Sequence, residues 1–84
     1  MGVQLIVCLP DSDEKLINVC DKEDELKKIT VLDLKRKIIQ QLSIQNDIRL
    51  TFHGETLNET QPLKEYGIRH LSTIHTLLIL HGGI

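Results

Sequence analysis

The chain closes on Gly82 and Gly83 with a single Ile84 behind them. Two residues without side chains can thread a narrow cleft, and a glycine carboxylate, once activated, can be joined to an amine. Residues 81–84 therefore read as a flexible Gly-Gly tail, either a reactive handle or a plain linker. The other groups with chemical potential are two thiols, Cys8 and Cys20, and four imidazoles, His53, His70, His75 and His81. A thiol beside an imidazole makes a nucleophile, because the neighbouring cation lowers the thiol pKa. Both cysteines fall in apolar alternating segments with no cleft in view, so a small Cys/His enzyme is the least favoured reading. His75 and His81 share a strand parity, but six residues of extended chain separate them by about 20 Å, too far for one metal. No metal site and no cofactor is expected.

Composition narrows the rest. A length of 84 residues suits one domain, residues 1–84, with a modest stability margin. The net charge is −2, and Phe52 and Tyr66 are the only large aromatics. Neither a basic field nor a stacking platform for bases is present, so nucleic-acid binding is not expected. The cysteines lack a C-x-x-C spacing, which favours a reduced pair over a disulfide. The longest apolar run is too short to span a bilayer, and no basic n-region precedes an apolar segment at the start. Met1-Gly2 begins like a myristoylation signal, yet Ile6 stands where Ser or Thr is required. No membrane association is expected, and the location predicted is cytoplasmic, nuclear or both.

Several elements must position these groups. Val3, Leu5, Val7 and Leu9 alternate with Gln4, Ile6 and Cys8, a period of two that predicts a first strand with one face in a core. Pro10 to Asp13 mark a turn, and 16–20 read as a second strand forming a hairpin with the first. Residues 21–28 alternate in charge with only Leu26 apolar, which reads as a solvated loop. Thr30 with Asp33 three residues on resembles a capping box, and a helix follows over 31–42 with Val31, Leu34, Ile38 and Leu42 on one stripe. A third strand is expected over 48–52, a tight turn at His53-Gly54, a short fourth strand at 56–57, a compact turn over 62–67 and a last strand over 72–80.

This order gives an α+β domain in which a mixed sheet of four to five strands packs on one main helix. One helix covers one face. The last strand is apolar at both parities, Leu78 and Leu80 on one side and Leu77 and Ile79 on the other, so part of it must stay uncovered. An apolar patch beside a glycine tail points to a partner site.

The order of elements and several motifs resemble ubiquitin and its relatives over essentially the whole chain. The residues that carry the resemblance are Thr30-Val31-x-x-Leu34-Lys35-x-Lys37-Ile38, the run from Ile48 through Phe52 to His53-Gly54, then Leu57, Leu63-x-x-Tyr66-Gly67-Ile68, Ser72-Thr73-Ile74-His75 and Leu80-His81-Gly82-Gly83. The resemblance implies a β-grasp fold, a Tyr66 that buttresses the turn before the last strand, and no active site of the domain's own. It implies a docking surface on the exposed sheet face, built from Arg49, Thr51, Gly54, His75, Leu77 and Ile79, with Leu9 or Pro10 of the first turn beside it. Partners would be proteins of the ubiquitin and proteasome system, met by a monomer. Lys35 and Lys37 match lysines of the family's helix and are the implied candidates for modification.

Departures from the family pattern shape the function. Thr51 replaces a central isoleucine of the docking face, a loss of apolar area that could weaken a generic receptor contact by about 1 kcal/mol. Glu55 and His70 stand where ubiquitin has its principal chain-linking lysines. Ile79 and His81 replace arginines that help the activating enzyme select ubiquitin, and Thr76 replaces an inward leucine, which should loosen the core. About six extra residues lengthen the link before the helix. The leading expectation is a non-catalytic interaction module docking through the sheet face. The alternative is a protein modifier, trimmed of Ile84 and conjugated through Gly83 to target lysines.

Overall fold

A computed structural model describes residues 2–79. Alternation in the first segment gives strand β1 (Val3–Cys8), which buries Val3, Leu5 and Val7 and leaves Gln4, Ile6 and Cys8 half-buried on the other face. Strand β2 (Glu14–Cys20) returns antiparallel, with Leu5 opposite Ile17 and Cys8 opposite Glu14. The strand begins two residues earlier than the apolar run suggests. The cause is the turn, where Leu9 N–H donates to Asp13 O at 2.7 Å and Ser12 takes a left-handed φ of 74°, which brings the pair into register at once.

Residues 21–28 are more ordered than their charge pattern predicts. They contain a one-turn helix, α1 (Glu23–Leu26). Leu26 is buried against the core, and Glu25 Oε1 accepts from the amides of Asp21 and Lys22, both at 3.0 Å. One buried leucine and one carboxylate acting as a cap are enough to hold a single turn.

Helix α2 (Val31–Leu42) has the expected bounds. Thr30 Oγ1 accepts from Asp33 N–H and the Asp33 carboxylate accepts from Thr30 N–H, each at 3.2 Å, so the capping box is closed. Two further free amides of its first turn, those of Val31 and Leu32, donate to the carbonyls of Gln61 and Glu59. Ser43 ends the helix in a left-handed conformation with its amide on Ile39 O. Strand β3 (Asp47–Phe52) turns through His53-Gly54 into β4 (Glu55–Thr56). Two consecutive positive φ values, 53° and 78°, make this a primed hairpin turn, which explains a glycine at 54 and sets β4 one residue earlier than the apolar Leu57 implies. Leu57 instead turns inward and is buried.

A 3₁₀ turn (Leu63–Tyr66) precedes the last strand, β5 (Thr73–Ile79). Tyr66 Oη accepts from Asn58 N–H at 2.9 Å, tying this turn to the loop that caps α2. The sheet order is β2-β1-β5-β3-β4, with β5 parallel to β1 and antiparallel to β3. The side chains of Leu34 and Ile38 meet Leu5, Ile17, Ile48 and Ile74 on one face of this sheet, all of them fully buried. The opposite face has no covering element among the described residues.

Candidate functional site

The open face is assembled by register. On β5 the residues Thr73, His75, Leu77 and Ile79 alternate with the inward Ile74 and Thr76. Across β3, His75 stands opposite Thr51, Leu77 opposite Arg49 and Ile79 opposite Asp47. Across β1, His75 stands opposite Cys8 and Thr73 opposite Ile6. Arg49, Thr51, His75, Leu77 and Ile79 therefore form one block of neighbouring side chains. Gly54 lies beyond them at the tip of the β3–β4 turn. Leu77 is 53% exposed, a large apolar side chain held in water beside a guanidinium, while Ile79 and Thr51 are half-buried.

The surface also holds what sequence reasoning overlooked. Leu16 on β2 is 53% exposed and directly opposite Ile6, and Leu71, with a left-handed φ of 66°, is exposed nearby. The signal was in the sequence, since Leu16 occupies an outward position of its strand. Leu78 has the parity of the covered face, shared with the buried Ile74 and Thr76, yet it is 45% exposed. The helix stops at Leu42, so the far end of the inward face opens into a hollow of about 230 Å³ lined by Leu9, Pro10, Ile44, Ile48, Thr76 and Leu78. Leu9 and Pro10 thus line this end groove. Thr76, buried among apolar groups, is satisfied, because its hydroxyl donates to Cys8 O at 3.0 Å.

The two helix lysines differ. Lys35 Nζ lies 2.7 Å from Asp47 Oδ1 and 2.5 Å from Glu59 Oε2, and only 12% of its side chain is exposed. Burial alone pulls this ammonium's pKa down, but the hydrogen bonds and charges of Asp47 and Glu59 outweigh it, and the net shift is upward. Any acylation of Lys35 must first break both ion pairs. Lys37 sits half-buried on the flank of α2 that faces the end of β2.

Both cysteines are free thiols. Cys8 is the one that register places beside an imidazole, His75, but its Sγ–H points to Leu9 O at 3.8 Å. Cys20 donates to Lys22 O at 3.3 Å, and burial, followed by the Glu25 charge, pushes its thiol up despite that bond and Lys37. A raised thiol is a poor nucleophile. Among the described residues no group of three or more His, Cys, Asp or Glu side chains is placed to hold a metal, and no helix is long and apolar enough to cross a membrane. Gly82 and Gly83 lie outside the described residues.

A single main helix laid across a mixed sheet whose first and last strands run parallel at its centre defines the β-grasp class. The model of the ubiquitin family matches residues 24–80. The NMR solution structure of a computationally designed protein, based on the template of human erythrocytic ubiquitin, is 30% identical to this chain. The match covers 100% of this chain and 99% of that one, with a TM-score of 0.74. The chain belongs to the ubiquitin family.

Proposed function

We propose that this domain is a non-catalytic interaction module of the ubiquitin and proteasome system, working in the cytoplasm or nucleus. It docks through the open sheet face of Arg49, Thr51, His75, Leu77 and Ile79, with Gly54 at the rim. The observation that carries this reading is the exposed Leu77, fixed opposite Arg49 on a face that no element covers among the described residues. Exposed apolar area rimmed by polar groups is the ordinary mark of a protein-binding surface. The test is an NMR titration of the labelled domain with a ubiquitin-binding receptor segment of the proteasome. Amide shifts clustered on β3 and β5 are expected; shifts confined to α2 count against the reading.

A second reading is supported by Gly82-Gly83, which stand shortly after β5 in the sequence, behind Leu80 and His81. In it the chain is a protein modifier, trimmed of Ile84 and joined through Gly83 to lysines. Mass spectrometry of a tagged chain expressed in cells separates the two. Isopeptides ending in Gly83 establish conjugation, and an intact Ile84 with no such adducts leaves the docking module alone.

A further inference from the structure

β2 is an edge strand, and the edge of a sheet presents unpaired N–H and C=O groups that can template pairing with another chain. In an antiparallel strand the N–H and C=O of one residue point the same way, and successive residues alternate. On β2 the groups of Asn18 point away from β1, so those of Glu14 and Leu16 do too. The groups of Asn18 are already taken. Gln41, in the last turn of α2, accepts from Asn18 N–H through Oε1 at 3.1 Å and donates from Nε2 to Asn18 O at 2.8 Å. A carboxamide has the donor and acceptor of a peptide unit, and here it fills the place of one residue of an added strand.

We propose that the free edge of β2 is a latent self-association surface held shut by Gln41, and that a second copy of this chain is the strand it takes when Gln41 is removed. Symmetry picks the occupant. A two-fold axis through Leu16 sets this exposed leucine against Leu16 of the second copy and sets Glu14 against its Asn18, with no like charges opposed. Three hydrogen-bonded pairs then close the contact: Leu16 with Leu16, Glu14 with Asn18, and the mirror of the latter. Two of the three need Asn18, so one carboxamide per copy removes most of the ladder. The remaining Leu16 pair cannot hold two domains together, because a short isolated ladder is at best marginal in water.

The experiment uses the full chain. Gln41→Ala, an exposed position, keeps the folded spectrum, and Gln41→Met retains the length of the side chain without its polar atoms. In dilute solution both variants should exchange the Asn18 amide about tenfold faster than the parent, or more. As concentration rises to the millimolar range, sedimentation should move from one copy toward two, and Asn18 should regain protection. Adding Leu16→Lys, which sets like charges on the axis, should return the variants to monomers with Asn18 unprotected throughout. Unchanged Asn18 exchange, monomers at every concentration, or association that survives Leu16→Lys each overturns the proposal.

Discussion

Leu77 on β5 and Arg49 on β3 stand directly opposite one another, and both project from the face that α2 does not cover. An apolar anchor paired with a guanidinium is the kind of contact that concentrates binding energy. Truncating either to alanine should weaken a docking partner about tenfold, or about 1.4 kcal/mol. Both side chains are exposed, so the melting temperature should hardly change. Calorimetric titration of the two variants checks this. A loss confined to Leu78→Ala would instead place the contact in the end groove beside Leu9 and Ile44.

The hydroxyl of Tyr66 receives the Asn58 amide and so braces the loop whose carbonyls cap α2. Tyr66→Phe removes only that acceptor. Urea unfolding should show a loss of about 1 kcal/mol, and hydrogen exchange should accelerate first at Asn58. A variant as stable as the parent would mean that water replaces the hydroxyl at no cost.

Lys35 supplies a pH dependence with a definite sign. Its ammonium is favoured in the folded state, so the folded pKa lies above the unfolded value of about 10.4. The stabilisation is fully present below that unfolded value and fades as pH rises through the higher folded pKa. Lys35→Met leaves Asp47 and Glu59 facing each other without their shared cation. It should cost about 1–2 kcal/mol at neutral pH, since both acids remain partly in water. In unfolding curves, the stability difference between parent and variant should be constant from neutral pH to about pH 10 and begin to narrow toward pH 11. Curves parallel throughout would contradict the assignment.

Leu26 pins the one-turn helix to the core. Leu26→Ala should cost about 2 kcal/mol, the low end for a buried leucine, because the site lies at the margin of the core. Backbone relaxation should show new motion over residues 21–28, with α2 unchanged. Loss of order throughout the domain would show that α1 is part of the core rather than an attachment to it.

What could be read from the sequence followed from periodicity. The 3.6-residue stripe of Val31, Leu34 and Ile38, with Thr30 and Asp33 at its head, placed α2 to the residue, and the alternation of β5 placed His75, Leu77 and Ile79 on one face. What escaped depended on a contact between distant segments. Nothing local in residues 21–28 announces a helix, because one leucine carries no period; its order comes from the core it reaches. Leu78 has the inward parity yet lies beyond the reach of α2, whose length relative to the sheet no strand pattern encodes. Thr76 looked like a weak point among leucines, but the Cys8 carbonyl, far away in sequence, gives its hydroxyl a partner. Gln41 carries no local signal of its own, and only the fold brings it to the β2 edge.

The parallel pairing of β1 with β5 also governs when this domain can exist during synthesis. The first strand to leave the ribosome must wait beside an empty lane until the last one arrives, since β5 is the plank between β1 and β3. Until Thr73 to Ile79 have cleared the exit tunnel, α2 can pack on the hairpin through Leu5, Ile17, Leu34 and Ile38, but β3 has no strand to join it to β1 and the sheet stays open. The sheet of this domain therefore closes only after its last strand has been made. In a longer polypeptide with this unit at its front, closure waits on the residues translated behind it.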